Sequence, residues 1–201
     1  MMNLANKLTI FRIILVPIMV IIPFFNIGGE FLNIPISLWI IQAIFCIASL
    51  TDKLDGYIAR SRNQITTFGK FLDPIADKIL VLAAMLMLVE MGSIPAWIPI
   101  IILMREFAVS GYRLIAVEKG GKVVAASVWG KLKTVTQIIA IIAAFINING
   151  SNVFFAFVNG GLSGISLAIN IIMSVMMLVC VVATIFSGWD YLKGGKDLLK
   201  D

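Results

Sequence analysis

Asp52-Lys53-Leu54-Asp55-Gly56-Tyr57-Ile58-Ala59-Arg60, then eight residues, then Gly69-Lys70-Phe71-Leu72-Asp73-Pro74-Ile75-Ala76-Asp77: this stretch puts four carboxylates into a chain that is 60% hydrophobic over 201 residues. An ionised side chain at the centre of a bilayer costs about 2.5–3.5 kcal/mol, so four would oppose insertion by about 10 kcal/mol or more unless something offset them. The spacing shows what can. Asp52 and Asp55 are three apart and Asp73 and Asp77 four apart, and either interval places both carboxylates on one face of a helix. Two such pairs facing each other make an oxygen-lined pocket for hard divalent cations. Gly56 lies four residues after Asp52, Ala59 continues that line, and Gly69 stands four before Asp73. Small residues there leave a trough in which a ligand or a facing helix approaches the backbone. A single aspartate could simply pair with Lys53 or Lys78, and small residues at helical spacing also serve packing. The ordered set of four acids, two glycines and an arginine is what singles the stretch out.

Working outward, the mean hydropathy of +1.03 and an apolar share above the ~45–50% of soluble domains describe a polytopic membrane protein. Six apolar segments, Thr9 to Ile27, Ile34 to Arg60, Phe68 to Met91, Ile94 to Glu118, Trp129 to Ile148 and Ile165 to Tyr191, each approach the ~20 residues a helix needs to span hydrocarbon. The expected fold is therefore all-α, a bundle of six transmembrane helices forming one domain over residues 1–201. The first segment is read as a retained span because no small-residue cleavage site follows it before Asn26. Met1 to Leu8 would make a short interfacial helix ahead of it.

Charge sets the orientation. Lys7, Arg12, Arg60, Arg62, Lys70, Arg113, Lys119, Lys122, Lys131, Lys133, Lys193, Lys196 and Lys200 fall at one set of ends, whereas the first, third and fifth loops carry only Glu30 and Glu90. Both termini and the aspartate cluster are thus expected on the cytoplasmic side of the cell membrane. The net charge of +5 is spread between apolar segments, with no basic run long enough to track a nucleic-acid backbone, so nucleic acid is excluded as a partner. The chain has no histidine, which excludes His-dependent triads and His-ligated zinc. Cys46 and Cys180 sit in apolar segments without metal-binding spacing and read as small core residues.

A second cluster speaks to an anionic ligand. Arg105 and Arg113, eight residues apart, share roughly one side of the fourth segment, with Val109 a turn from each. Gly130-Lys131-Leu132-Lys133-Thr134 opens the fifth segment; Lys131 and Thr134 share a face, while Lys133 points elsewhere, toward Gln137. Arg105, Arg113, Lys131 and Lys133 beside a two-metal site would suit a phosphate-bearing substrate. The plainer alternatives are an internal acid partner for Arg105 and a purely topological role for the lysines.

The aspartate stretch resembles the signature of the CDP-alcohol phosphotransferase family: Asp, two residues, Asp-Gly, two residues, Ala-Arg, eight or nine residues, Gly, three residues, Asp, three residues, Asp. Every fixed position is met between Asp52 and Asp77. The resemblance implies two divalent cations, Mg2+ or Mn2+, on Asp52, Asp55, Asp73 and Asp77, with Asp77 as the base. It also implies a cytidine nucleotide lined by Asp52, Gly56, Ala59, Arg60 and Gly69. Physically, two metals about 3.5–4 Å apart neutralise charge on the attacking and leaving oxygens of an in-line phosphoryl transfer.

The opening Asn3-Leu4-Ala5-Asn6-Lys7-Leu8-Thr9-Ile10-Phe11-Arg12 and the run from Arg105-Glu106 through Ser110, Arg113 and Ala125-Ala126-Ser127 to Thr134 are similar to one branch of that family. Its members pass the phosphatidyl group of CDP-diacylglycerol to glycerol 3-phosphate and release CMP. Ala5 departs from a proline common in that opening. Small-residue apolar faces and the resemblance together imply a homodimer. Inositol phosphate, serine or phosphatidylglycerol as acceptor, and direct displacement or a covalent phosphatidyl-aspartate, remain open alternatives within the family. A cation transporter is the alternative outside it, although such a protein would place its acids nearer the midplane.

Overall fold

Each of the six apolar segments is a helix in the computed structural model. It describes residues 4–25, 27–61, 67–118, 128–150 and 152–194, with the backbone alone at residues 4, 5, 52–61, 67–71, 73, 74, 113–118, 149, 192 and 194. The helices are α1 (Leu4–Ile21), α2 (Ile36–Ser61), α3 (Thr67–Glu90), α4 (Trp97–Glu118), α5 (Val128–Phe145) and α6 (Gly164–Gly194). Asn6–Phe25, Val128–Phe145 and Gly164–Tyr191 are long and apolar enough to cross a membrane, and Ile36–Thr51 is a shorter apolar helix. The protein is thus a predominantly helical membrane protein. Helices α2, α3 and α4 carry the charges discussed above, which lowers their apolar character.

Two details differ from expectation. Of the interfacial helix foreseen over Met1–Leu8, residues 4–8 are not a separate element, since α1 begins at Leu4 and runs unbroken to Ile21; Met1 to Asn3 lie outside the described residues. Pro17 lies inside α1, and a bilayer helix tolerates it when neighbours satisfy the freed carbonyl. The other difference is a small antiparallel hairpin, β1 (Glu30–Phe31) and β2 (Ile34–Pro35), pairing Glu30 with Pro35 and Phe31 with Ile34. Its two turn residues, Leu32 and Asn33, have φ of 55° and 58°, the left-handed backbone that two-residue hairpins require. The Trp39 indole donates to the Phe31 carbonyl at 3.0 Å, tying the hairpin to α2.

The chain divides into two compact units. In the first, residues 1–91 and 145–152, α1 packs on α2 and α3. The buried row of α1 is Asn6, Thr9, Arg12, Val16 and Met19, continued by Ile22 in the 3-10 turn that follows, spaced three or four apart as a helical stripe demands. That row is polar over its first three members and apolar over its last three. Opposite it α2 buries Leu38, Ile41, Phe45, Ala48 and Thr51, and α3 buries Ala76, Leu80, Ala84 and Leu88. The alanines let the helix axes approach closely.

The second unit, residues 92–144 and 153–201, holds α4 against α6. Ile98, Ile102, Val109 and Tyr112 form the buried stripe of α4, and Arg105 occupies the missing turn of it. On α5 the inner row begins with Lys133, Thr136 and Gln137 and continues through Ala140, Ile141 and Ala144. On α6, Asn170 and Ser174 pin the preceding loop. Asn170 accepts from Phe157 N–H at 3.0 Å and donates to the Val153 carbonyl at 2.8 Å, while Ser174 Oγ accepts from Phe155 N–H at 3.0 Å.

Candidate active site

The aspartate stretch lies at the C-terminal end of α2 and the N-terminal part of α3, two helices in contact within the first unit. Helical backbone through Asp52–Arg60 and Gly69–Asp77 confirms the periodicity on which the paired-carboxylate argument rests. The side chains of Asp52, Asp55, Arg60 and Asp73, and the surroundings of Gly56, Ala59 and Gly69, lie outside the described residues. Asp77 is described. Its carboxylate accepts a hydrogen bond from the Arg12 guanidinium of α1 in a direct ion pair, Arg12 being fully buried and Asp77 46% exposed.

That pair gives the polar half of the α1 row its purpose. A guanidinium two turns into an apolar helix is costly unless it is paired, and Asp77 supplies the anion. Thr9 and Asn6, one and two turns earlier on the same face, are buried as well. Sequence reasoning had treated Arg12 as a topology marker. The argument that singled out Arg105, a cation inside an apolar run, applied equally to Arg12.

As a metal site, the donor set is chemically coherent. All four candidate ligands are carboxylates on helices, hard oxygen donors of the kind that suit Mg2+ or Mn2+ and not thiolate-preferring metals. The half-exposed carboxylate of Asp77 leaves room for a ligand to reach it. Among the described residues no group of three or more Cys, Asp or Glu converges; three of the four aspartates lie outside that set.

The acceptor candidates belong to the second unit. Glu106 Oε1 accepts from Arg105 Nη1 and from Lys133 Nζ, each at 2.9 Å, and the three side chains are 21%, 13% and 9% exposed respectively. Arg105 Nη2 donates to Ser187 of α6, and its guanidinium lies over the Tyr191 ring with 5.6 Å to the centroid. A Cβ at Gly188 would sit 3.4 Å from Arg105 Cγ, so that glycine lets α6 pass close to the arginine. Two cations share one anion here. The surplus positive charge, held in a poorly solvated place, is what an anionic substrate would neutralise.

Lys133 therefore reaches Glu106 across to α4, where sequence reasoning had aimed it toward Gln137, and it is more than a topological charge. Arg105 has the internal acid that the plainer reading foresaw, supplied by the adjacent residue. Lys131 is exposed, and Thr134 donates to the Gly130 carbonyl at 3.1 Å within its own helix. The side chain of Arg113 lies outside the described residues. Glu106 and Ser187 were not singled out from sequence; an acid placed inside an apolar helix next to a buried arginine was the available signal for the first.

Comparison with known proteins identifies the family. Over its full length the chain is 42% identical to the CDP-diacylglycerol–glycerol-3-phosphate 3-phosphatidyltransferase of Bacillus subtilis, with 98% of that protein covered. It is 43% identical to the transferase of the same name from Haemophilus influenzae over 69% of this chain and 73% of the relative. With a probable phosphatidylglycerophosphate synthase of Mycobacterium tuberculosis the identity is 34%, covering 94% of this chain and 80% of the relative. The family description for CDP-alcohol phosphatidyltransferases matches residues 2–187, spanning the α1 polar row, the aspartate stretch and the Arg105–Glu106–Lys133 cluster alike, and the chain belongs to that family.

Proposed function

We propose that this protein transfers the phosphatidyl group of CDP-diacylglycerol to the 1-hydroxyl of sn-glycerol 3-phosphate, giving phosphatidylglycerol phosphate and CMP, a step of phospholipid biosynthesis. The observation that carries the reading is the full-length likeness to transferases named for that reaction. The intact signature from Asp52 to Asp77 supports the same reading. The working form is a six-span homodimer in the cell membrane with both termini and the aspartates on the cytoplasmic side, as the distribution of lysine and arginine favours.

Asp52, Asp55, Asp73 and Asp77 would hold two divalent cations, which when bound neutralise the diphosphate and make CMP a better leaving group. Asp52, Gly56, Ala59, Arg60 and Gly69 cradle the cytidine nucleotide, the glycines admitting it close to the helix backbones. Arg105, Arg113, Lys131 and Lys133 bind the phosphate of the acceptor. Its 1-hydroxyl attacks the lipid-side phosphorus, the bond from that phosphorus to the bridging oxygen breaks, and CMP departs with the bond's electrons. The hydroxyl proton passes to Asp77, whose carboxylate is oriented by Arg12. With no histidine in the chain, a carboxylate is the appropriate base.

The test is CMP release by purified protein given CDP-diacylglycerol and a panel of alcohols, with and without added magnesium or manganese. Glycerol 3-phosphate should be preferred, and chelation should stop turnover reversibly. Preference for an uncharged acceptor would defeat the phosphate-pocket assignment, and ion flux without CMP release would indicate a transporter.

A further inference from the structure

Glu106 is the charged residue inside the second unit that the proposed reaction leaves without a role. Its Oε1 accepts from Arg105 Nη1 on its own helix and from Lys133 Nζ on α5, both at 2.9 Å. Adjacent residues on a helix do not face each other, so the two side chains of α4 must turn to meet, Glu106 toward α5 and Arg105 toward Ser187 of α6. The count of charges is uneven. One acid neutralises one cation, and a cluster built for stability alone has no use for a second, since buried ion pairs are often replaceable by apolar side chains at little cost. Donors remain as well. An ammonium carries three N–H bonds and the Nη1 nitrogen of a guanidinium two, and Glu106 takes one from each.

The two cations are not held alike. Arg105 is also fixed from α6, where Ser187 Oγ accepts from its Nη2 and the Tyr191 ring lies under the guanidinium. For Lys133, the ion pair with Glu106 is the tie that reaches from α5 to α4. A lysine has many rotamers and a strongly hydrated head. Without the acid, repulsion from Arg105 would turn the ammonium toward the polar end of α5, where its stem lets it reach water. A phosphate would then meet one cation instead of two.

We propose that Glu106 is a positioning residue for the acceptor: its carboxylate holds the Arg105 guanidinium and the Lys133 ammonium to one point, so that the phosphate of glycerol 3-phosphate meets both at once. The acid opposes the charge of the phosphate, but the trio keeps a net positive charge, and donors already ordered need not be ordered by the ligand. Two converging cations also favour a phosphate monoester over a neutral alcohol. The inference rests on the acceptor reading above and names the residue that assembles its phosphate pocket.

The experiment measures CMP release by purified full-length protein, varying glycerol 3-phosphate and CDP-diacylglycerol in turn, for the wild type, Glu106→Gln, Glu106→Asp, Lys133→Met and the double variant Glu106→Gln with Lys133→Met. Glu106→Gln should raise the KM for glycerol 3-phosphate about tenfold, as loss of one charge-assisted contact implies, with kcat and the KM for CDP-diacylglycerol within about twofold. Glu106→Asp keeps the charge and should recover part of the loss. In the Lys133→Met background the same Glu106→Gln change should raise that KM less than about threefold, because the cation it aims is already gone. An acceptor KM unchanged or lowered in Glu106→Gln, a fall in kcat with that KM constant, or Glu106→Asp no better than Glu106→Gln would overturn the proposal. If Glu106→Gln alone does not fold, the charge-balanced double variant decides against Lys133→Met, and a further rise of about tenfold there overturns it too. Wild-type turnover indifferent to glycerol 3-phosphate would defeat the acceptor reading and this inference with it, whereas a glycerol 3-phosphate-dependent wild type with an indifferent Glu106 defeats the inference alone.

Discussion

The Arg12–Asp77 pair makes an asymmetric prediction about stability. Arg12 is fully buried and Asp77 is 46% exposed, so removing one partner is not equivalent to removing the other. Asp77→Asn leaves a guanidinium inside the bundle without its carboxylate. Breaking a buried pair in that way costs about 3–5 kcal/mol, and the partial solvation of Asp77 lowers the expectation here to about 2–4 kcal/mol. Arg12→Met leaves a carboxylate that water can reach, and should cost only about 1–2 kcal/mol, the net worth of one charge-assisted hydrogen bond reduced by screening. In the Asp77→Asn background Arg12→Met should cost less than in the wild type, because the pair it would break is already gone. The assay is thermal unfolding of the purified wild type, both single variants and the double variant in one detergent. For a chain of this size each kcal/mol moves the midpoint by about 2–4 °C, so a coupling near 2 kcal/mol reads as roughly 4–8 °C. If Arg12→Met costs the same in both backgrounds, with coupling below about 0.5 kcal/mol, the pair does not hold α1 to α3 and the reasoning fails.

Asp77→Asn should also abolish CMP release while lipid binding is largely kept, whereas Asp52→Asn should weaken metal and nucleotide binding; full turnover in either would contradict its role. Arg113→Ala should raise the KM for glycerol 3-phosphate about tenfold or more with the KM for CDP-diacylglycerol little changed, as loss of one charge-assisted contact of ~1.5–3 kcal/mol implies. Lys133→Met, at a buried position paired with Glu106, should lower the unfolding midpoint more than Lys131→Met at an exposed one, and equal effects would argue against the cluster's structural role. Asn170→Ala removes two part-buried hydrogen bonds to the loop backbone and should cost about 1–3 kcal/mol, read as a fall in the same midpoint with CMP release at low temperature preserved.

How much of this was legible from sequence depends on which residues carried the signal. The six helices were legible because each apolar run is bounded by glycine, proline or charge, and their limits differ from the observed ones mainly at α1, which both begins and ends five to six residues earlier than expected. The paired carboxylates were legible because helical spacing alone puts them on common faces. The partners were not. Arg12 and Asp77 are sixty-five residues apart, and no local pattern joins them. Glu106 lies next to Arg105, a separation at which helix side chains do not normally face each other; two long, flexible side chains meet there nonetheless, and Lys133 joins them from α5. The hairpin at Glu30–Pro35 was hidden for another reason, since Leu32 is not a residue that advertises positive φ.

The deeper obstacle is that apolar periodicity, the usual guide to an interior, loses its meaning when the outside of the molecule is lipid. Phe11, Ile14 and Ile18 on α1 are exposed, and so are Ile172, Val175 and Val182 on α6; hydrocarbon welcomes them as readily as a protein core would. What the solvent cannot accept is a polar side chain, and the buried rows are marked by those. Asn6, Thr9 and Arg12 mark α1; Lys133, Thr136 and Gln137 mark α5; Asn170, Ser174, Thr184 and Ser187 mark α6. Asn6, Thr9 and Arg12 step by three, Thr136 and Gln137 follow Lys133 by three and four, and Asn170–Ser174 and Thr184–Ser187 step by four and three, the same helical arithmetic that soluble proteins apply to leucine. Reading the polar residues as the interior would have turned α1 toward α3 and Lys133 away from lipid before any coordinates were seen. It would also have shown that Arg105 and Lys133, two of the cations named as acceptor ligands, need an anion inside the bundle, the place that Glu106 fills.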